Sequence, residues 1–178
     1  MLVNKYYYLT GEFEPDDLET ISSACNGGGN PWLRHEARVQ FENLCTDAKK
    51  QGLNIHSVSA YRSYDTQVRV YNSKVQNRGK EVADTISARP GNSEHQTGLT
   101  LDVNQTSSAF ADTNEYVWLQ QNAYKYGFIE RYPKNDVKIT GYDWEPWHYR
   151  YIGVEAATKI HDEKITFDEY YAYYVENE

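Results

Sequence analysis

The chain has 178 residues, which is enough for one domain with a sizeable hydrophobic core and too few for two comfortable ones. Its formal charge of −8, from 26 acidic residues against 18 Lys plus Arg, has the wrong sign for binding phosphate backbones and excludes nucleic acid as an expected partner. No apolar run approaches the roughly 20 residues that a transmembrane helix needs. We therefore expect a single domain over residues 1–178 without a membrane span, and a monomeric protein.

The first 34 residues show no sustained hydrophobic period. They contain FEPDD and CNGGGNPW, in which Pro, Gly, Asn and Asp are typical of turns. This part of the chain predicts an extended arm, residues 1–34, that wraps the domain and has a helical turn after Pro15.

The clearest helical pattern runs from His35 to Gln51 and is followed by Gly52, a residue suited to a left-handed helix end. Cys45 lies on its apolar stripe, which favours a buried free thiol. A bond to Cys25, in the CNGGGN loop, requires a geometry that the sequence does not show. The apolar positions of this helix are Ala37, Phe41, Leu44, Cys45 and Ala48.

The next segments alternate between short strands and helices. LNIHSVSAY is rich in small and β-branched residues and predicts a strand that places Arg62 at its end. Ser63 can cap a helix that stops at Gly79, and a shorter helix is predicted over 80–87. ARPGNSEHQTG predicts a loop. In LTLDVN the alternation puts Asp102 on the face opposite the leucines.

The last third of the chain is rich in aromatic residues. Residues 115–126 predict a helix ended by Gly127, and FIERYP predicts a strand. Residues 138–153 are β-prone, and Thr166 with Glu169 forms a capping-box pattern ahead of a final helix. Periodicity alone thus indicates a mixture of helices and strands.

Two stretches carry candidate chemistry: SEHQTGLTLDVN holds His95 and Asp102, and GYDWEPWHYRYIG holds Glu145 and His148. A charge among aromatic residues is costly, so such groups need a metal or paired partners. Two imidazoles and one carboxylate suit Zn²⁺, which leaves its fourth position to water and lowers the pKa of that water toward about 7. Glu145, three residues from His148, is then the candidate to accept the proton.

These stretches also carry a family resemblance. SEHQTGLTLD resembles the S-x-H-x-x-G-x-x-x-D signature, and EPWH the E-x-W-H signature, of the VanY-type D-alanyl-D-alanine carboxypeptidases. These are zinc peptidases of the group that includes lysostaphin and the VanX dipeptidases. SAYRSYDTQ is similar to the family's S-G-Y-R-S-x-x-x-Q segment, with Ala60 where glycine is usual. The resemblance covers nearly the whole chain, with the motifs in the family's order.

The resemblance implies a role for each matching position. Zinc is expected on His95, Asp102 and His148. Glu145 is expected to act as general base and then as acid. Arg62 is expected to polarise the scissile carbonyl and stabilise the oxyanion, or to bind the substrate carboxylate.

The resemblance also implies weaker assignments and a fold. Gln67 and Ser93 match positions that line the substrate cleft, and Trp147 is expected as a cleft wall or core aromatic. The implied fold is α+β, with a small, mainly antiparallel sheet flanked by helices and the zinc in a cleft over one sheet face. The remaining histidines, His35, His56 and His161, are expected to be structural or solvated.

The implied function is removal of the C-terminal D-alanine from peptidoglycan stem peptides. Alternatives are an L,D-carboxypeptidase acting on tetrapeptide stems, a D,D-dipeptidase, and a zinc-stabilised module that binds wall peptides without cutting them. Specificity lies in loop contacts that the motifs do not encode. We expect an extracytoplasmic catalytic domain whose anchor is absent from this chain, with a cytoplasmic location as the alternative.

Overall fold

The computed structural model of the protein describes residues 1–176. Its strands are β1 Leu18–Thr20, β2 Trp32–Arg34, β3 Ser57–Ser59, β4 Thr100–Val103, β5 Phe128–Glu130 and β6 His148–Tyr151. The central feature is a four-stranded antiparallel sheet with the strand order β3-β4-β6-β5. Strands β1 and β2, near the N-terminus, form a separate antiparallel pair.

Helices flank this sheet, so the predicted α+β class is confirmed. Short 3₁₀ segments lie at Glu94–Thr97, Ser108–Asp112 and Ala123–Tyr126. None of the helices within residues 1–176 combines the length and apolar character required to cross a bilayer. The α-helices are α1 His35–Lys50, α2 Tyr64–Arg78, α3 Lys80–Ile86, α4 Asn114–Asn122, α5 Val137–Thr140, α6 Val154–Glu163 and α7 Phe167–Tyr174.

Helix α1 packs one face against the sheet, and the five positions predicted for that face are all buried. Phe41 meets Phe128 of β5 edge-on, with ring centroids 6.1 Å apart. Gly52, just beyond the helix, has the predicted left-handed conformation, with φ of +79°. The helical period therefore located both this element and its buried face.

The prediction that Cys45 is a free thiol is wrong. Cys45 forms a disulfide with Cys25, and the two Cα atoms are 6.0 Å apart. The backbone N–H of Ser57 donates to the carbonyl of Cys25 at 2.9 Å, and Asn26 forms a parallel bridge with Ser57. These contacts hold the glycine-rich loop against β3 and bring Cys25 to the buried face of α1.

Three other local predictions need correction. The arm of residues 1–34 contains the β1-β2 pair, and β1 follows the Pro15 turn where a helical turn was predicted. Part of ARPGNSEHQTG is a 3₁₀ turn, and part of the β-prone segment 138–153 is helix α5. The elements involved span only three to four residues, which is too short for a hydrophobic period to identify.

The C-terminal prediction is confirmed. The Thr166 hydroxyl accepts from the backbone of Glu169 while the Glu169 carboxylate accepts from the backbone of Thr166, which forms the capping box of α7. Phe167 packs in a second apolar cluster with Leu2 and Ile129. That residues 1–178 form a single domain stays a prediction, and residues 177–178 lie outside the described chain.

Candidate active site

Three buried side chains meet where β4 pairs with β6. Asp102 of β4 and His148 of β6 are direct partners in the antiparallel register, and His95 comes from the 3₁₀ turn ahead of β4. One potential ligand atom from each lies within 4.8 Å of the other two. Asp102 Oδ1 is 3.5 Å from His95 Nε2 and 3.5 Å from His148 Nδ1. The predicted ligand set is thus brought together.

Gly98 makes the turn that lets His95 and Asp102 face the same point. Its φ of +67° lies in the left-handed region, which side chains disfavour. A Cβ at this position would also lie 2.8 Å from Leu18 and 3.0 Å from Arg34. The backbone conformation therefore favours glycine here, and a larger residue would also displace side chains of the β1-β2 pair.

The two histidines present different ring nitrogens to the ligand group. His95 Nδ1 lies 2.7 Å from the carbonyl oxygen of Ala60. Because a carbonyl can only accept, Nδ1 carries the proton and Nε2 is left as the donor to a metal. His148 has the opposite arrangement, because its Nδ1 faces Asp102 while its Nε2 faces Glu94 at 3.5 Å.

Electrostatics at the site favour a bound cation. Burial would raise the pKa of Asp102, but the neighbouring His95, His148 and Arg62 together lower it overall, so the carboxylate is ionised. Burial lowers the pKa of His95, which keeps its imidazole neutral. Burial acts in the same direction on His148, but the carboxylates of Glu145 and Glu94 outweigh it and raise the His148 pKa to about 9.

The donor set fits zinc. Two imidazole nitrogens and one carboxylate oxygen are the ligands of catalytic zinc sites that keep an open fourth position. Asp102 Oδ1 is buried and has no hydrogen-bond partner among residues 1–176. A buried carboxylate oxygen without a donor is costly unless a cation neutralises it, so this atom supports the metal assignment.

Two further side chains predicted for catalysis lie beside the ligand group. Glu145 precedes β6, and its Oε2 is 3.2 Å from His148 Nδ1. Arg62 follows β3, donating to Gln67 Oε1 at 3.0 Å and to Ser59 Oγ at 3.1 Å. Gln67 is itself held because its amide donates to the Ala88 carbonyl at 2.6 Å. Arg62 is therefore fixed on one side and open to the cleft on the other.

A cleft of about 280 Å³ connects these groups. Sequence reasoning missed Glu94, Tyr132 and Tyr142 on its wall, because an acidic residue in a loop and tyrosines in an aromatic segment have many ordinary roles. The lining includes all eight predicted site residues: Arg62, Gln67, Ser93, His95, Asp102, Glu145, Trp147 and His148.

The remaining histidines lie outside this cleft. His35 is exposed and pairs with Glu19 at 2.9 Å. His161 stacks on Tyr124 with ring centroids 3.8 Å apart. His56 is half-buried beside the glycine-rich loop. Their positions agree with the structural or solvated roles predicted for them.

The protein has an α+β fold with a cleft over its antiparallel sheet, and this cleft holds a buried His-Asp-His group beside a carboxylate. This arrangement defines a zinc site of the metallopeptidase type. Residues 30–154 match the model of the VanY family, described as D-alanyl-D-alanine carboxypeptidase. The chain belongs to this family, as the sequence motifs predicted.

Curated relatives agree with the family match. The chain is 43% identical over 179 residues to YodJ of Bacillus subtilis, covering 96% of this chain and 66% of YodJ. It is 38% identical over 181 residues to a D-alanyl-D-alanine carboxypeptidase of Enterococcus faecalis, covering 96% of this chain and 64% of that protein. The chain thus spans just under two thirds of both relatives.

Solved structures share the fold over nearly the whole chain. The LdcB LD-carboxypeptidase superposes with a TM-score of 0.90 at 42% identity, covering 96% of this chain and 84% of LdcB. A mutant of the D,D-pentapeptidase VanY in complex with Zn(II) superposes with a TM-score of 0.81 at 33% identity, covering 96% of this chain and 97% of that chain. VanYB in complex with D-alanine-D-alanine superposes with a TM-score of 0.82 at 32% identity, covering 98% of this chain and 97% of that chain.

Proposed function

We propose that the protein is a zinc-dependent carboxypeptidase that removes the C-terminal D-alanine from peptidoglycan stem peptides. One observation carries the proposal: Glu145 and Arg62 share a single cleft with the convergent His95, Asp102 and His148. The family match and the complexes of VanY relatives with Zn(II) and with D-alanine-D-alanine support it.

The ligands in this proposal are His95 through Nε2, His148 through Nδ1 and Asp102 through Oδ1. When bound there, zinc supplies Lewis-acid chemistry that polarises a carbonyl oxygen and lowers the pKa of a water molecule. The side chains of the three ligand residues are 5–7% exposed, so packing holds them in place before a metal binds.

Glu145 acts as the general base and then as the general acid. Its side chain is 21% exposed, so it is reachable from the cleft, unlike the buried ligands. Its carboxylate lies against the donor nitrogen of His148, within reach of a water molecule beside the ligand group. It accepts the proton of the attacking water and then donates a proton to the leaving amine.

Arg62 supplies a fixed positive charge for the oxygen that becomes negative during attack. Two of its guanidinium nitrogens donate to Gln67 and Ser59, which leaves further N–H groups for the substrate. Gln67 is 1% exposed and uses its amide oxygen on Arg62 and its amide nitrogen on Ala88. We therefore assign Gln67 to positioning Arg62, and we keep Ser93 and Trp147 as cleft-lining contacts.

The high similarity to LdcB favours a second candidate within the same chemistry, an L,D-carboxypeptidase acting on tetrapeptide stems. Incubation with defined penta-, tetra- and dipeptides, followed by mass measurement of products, separates the two. Loss of one alanine from a pentapeptide ending in D-Ala-D-Ala supports the main proposal. Cleavage confined to the tetrapeptide supports the second candidate, and cleavage confined to the dipeptide indicates a D,D-dipeptidase.

A non-catalytic wall-peptide module is the alternative from another class. It has no use for a carboxylate and a guanidinium beside the ligand group, and both are present. Peptide binding without hydrolysis by the zinc-loaded protein would support that alternative.

The proposed location is extracytoplasmic. Cys25 and Cys45 form a disulfide, and such bonds persist mainly in oxidising compartments. The proposed partner is accordingly the peptidoglycan stem outside the membrane. Fractionation of producing cells tests the location, and sedimentation of the purified protein tests the predicted monomer.

A further inference from the structure

A buried cluster of ion pairs lies behind the proposed metal ligands and extends to the C-terminal helix. Arg131 Nε is 2.8 Å from Glu94 Oε1, and its terminal nitrogen is 2.6 Å from Asp168 Oδ2. Arg150 lies 3.1 Å from the same Glu94 oxygen. The side chains of Arg131 and Glu94 are fully buried. The cluster balances two guanidinium groups with two carboxylates.

The other oxygen of Glu94 faces His148. Glu94 Oε2 is 3.5 Å from His148 Nε2, and both atoms are buried and make no hydrogen bond within residues 1–176, so this ion-pair contact is the nearest interaction of each. An imidazole with its Nε2 proton directed at a carboxylate presents the Nδ1 lone pair on its opposite side. That side of His148 faces Asp102.

We propose that Glu94 is a positioning residue that fixes His148 as an Nδ1 metal donor, and that Arg131 and Asp168 hold Glu94 in place. Docking of α7 is thereby part of the metal site. The inference rests on the proposed zinc ligands. A carboxylate behind a ligating imidazole fixes the ring orientation and makes the donor nitrogen more basic.

Asp168 connects this arrangement to a part of the chain beyond residues 30–154, which match the family model. It lies in the first turn of α7, and its second oxygen accepts from the Asn4 side chain at 2.7 Å. Removing its charge leaves Arg131 and Arg150 with Glu94 as the single carboxylate of the cluster. The excess buried positive charge then opposes a cation at the neighbouring ligand group.

The test measures zinc dissociation constants by chelator competition, without substrate, so that the result is independent of turnover. Glu94→Gln should weaken zinc binding by about 10- to 100-fold, the range typical of such supporting partners. Asp168→Asn should weaken it severalfold. The matched control is Thr166→Ala, which removes the cap of the same helix and lowers thermal stability without touching Arg131.

Unchanged zinc affinity in folded Glu94→Gln protein would overturn the inference. Equal weakening by Asp168→Asn and Thr166→Ala, in proportion to their loss of thermal stability, would also overturn it, because helix docking alone would then explain the effect. The inference is supported if Asp168→Asn weakens zinc binding while Thr166→Ala leaves the zinc dissociation constant unchanged. If Glu94→Gln does not fold, the comparison of the two helix variants decides.

Discussion

Glu145 Oε2 lies 3.2 Å from His148 Nδ1, the same nitrogen that faces Asp102 Oδ1 at 3.5 Å. The proposed base and a proposed ligand are therefore in direct contact. A mutation of either one perturbs the other, so turnover alone does not distinguish their roles. Metal content and turnover have to be measured together on each variant.

Replacement of His148 by Ala should remove bound zinc, because only two ligands remain and the buried Asp102 loses one of its two neighbouring imidazoles. Metal content after dialysis, measured by atomic emission, checks this. The matched control is His35→Ala, at an exposed histidine outside the cleft, which should keep a full equivalent. A full equivalent of zinc in the His148 variant would remove it from the ligand set.

Glu145→Gln should retain zinc and the fold while the catalytic rate constant falls by about 10²- to 10⁴-fold, the usual contribution of a positioned base. Asp143→Asn, at an exposed position in the same loop, is the control and should turn over normally. Steady-state kinetics on zinc-loaded proteins gives the comparison. Near-normal turnover by Glu145→Gln would assign proton transfer to another group.

Arg62→Ala should mainly lower the rate constant, since a fixed donor to the developing oxyanion acts in the transition state. Gln67→Leu should shift kinetics in the same direction by a smaller factor, because Arg62 keeps its contact with Ser59. Arg69→Ala, on the exposed side of α2, is the control. An effect limited to the Michaelis constant would instead make Arg62 an anchor for the substrate carboxylate.

Removal of the disulfide by Cys25→Ser with Cys45→Ser should lower the free energy of unfolding by about 3 kcal/mol, from chain entropy for a separation of 20 residues. Urea unfolding of the zinc-loaded protein measures this. Zinc affinity should stay the same, because neither cysteine lines the cleft. Equal stability with and without the bond would contradict the prediction.

The dependence of stability on pH should include a contribution from Glu130. Burial raises the pKa of this carboxyl, although the side chains of Trp144 and Gln120 donate to it at 2.8 and 2.7 Å. Its contribution to stability is fully present below the unfolded pKa of about 4.3. That contribution is lost as pH rises through the higher folded pKa.

The variant Glu130→Gln lacks this titrating group. The free energy of unfolding of the variant minus that of the unmodified protein should therefore rise between pH 4 and pH 7. The comparison between two proteins at each pH cancels the groups that they share. Urea unfolding of both proteins at each pH gives the difference. A flat difference over this range would show that the pKa of Glu130 is not raised.

The site was more predictable from the sequence than the packing around it. His95 and Asp102 are separated by a glycine turn and a strand, and His148 pairs with Asp102 across two strands, so short motifs carry most of the geometry. The disulfide was not predictable, because it depends on docking of the Cys25 loop against β3. Glu94 was missed for a related reason: its partners come from distant parts of the chain.

His95 and His148 turn opposite ring nitrogens, Nε2 and Nδ1, toward Asp102, which makes the two proposed ligand positions chemically distinct. The amide oxygen of asparagine is as many bonds from Cα as Nδ1 of histidine, and that of glutamine as many as Nε2. His148→Asn and His95→Gln thus each place an oxygen at the same number of bonds from Cα as the nitrogen that faces Asp102. The substitutions His148→Gln and His95→Asn do not. Each proposed ligand position accordingly requires a side chain of its own length, and the proposed metal site is asymmetric although it contains two histidines.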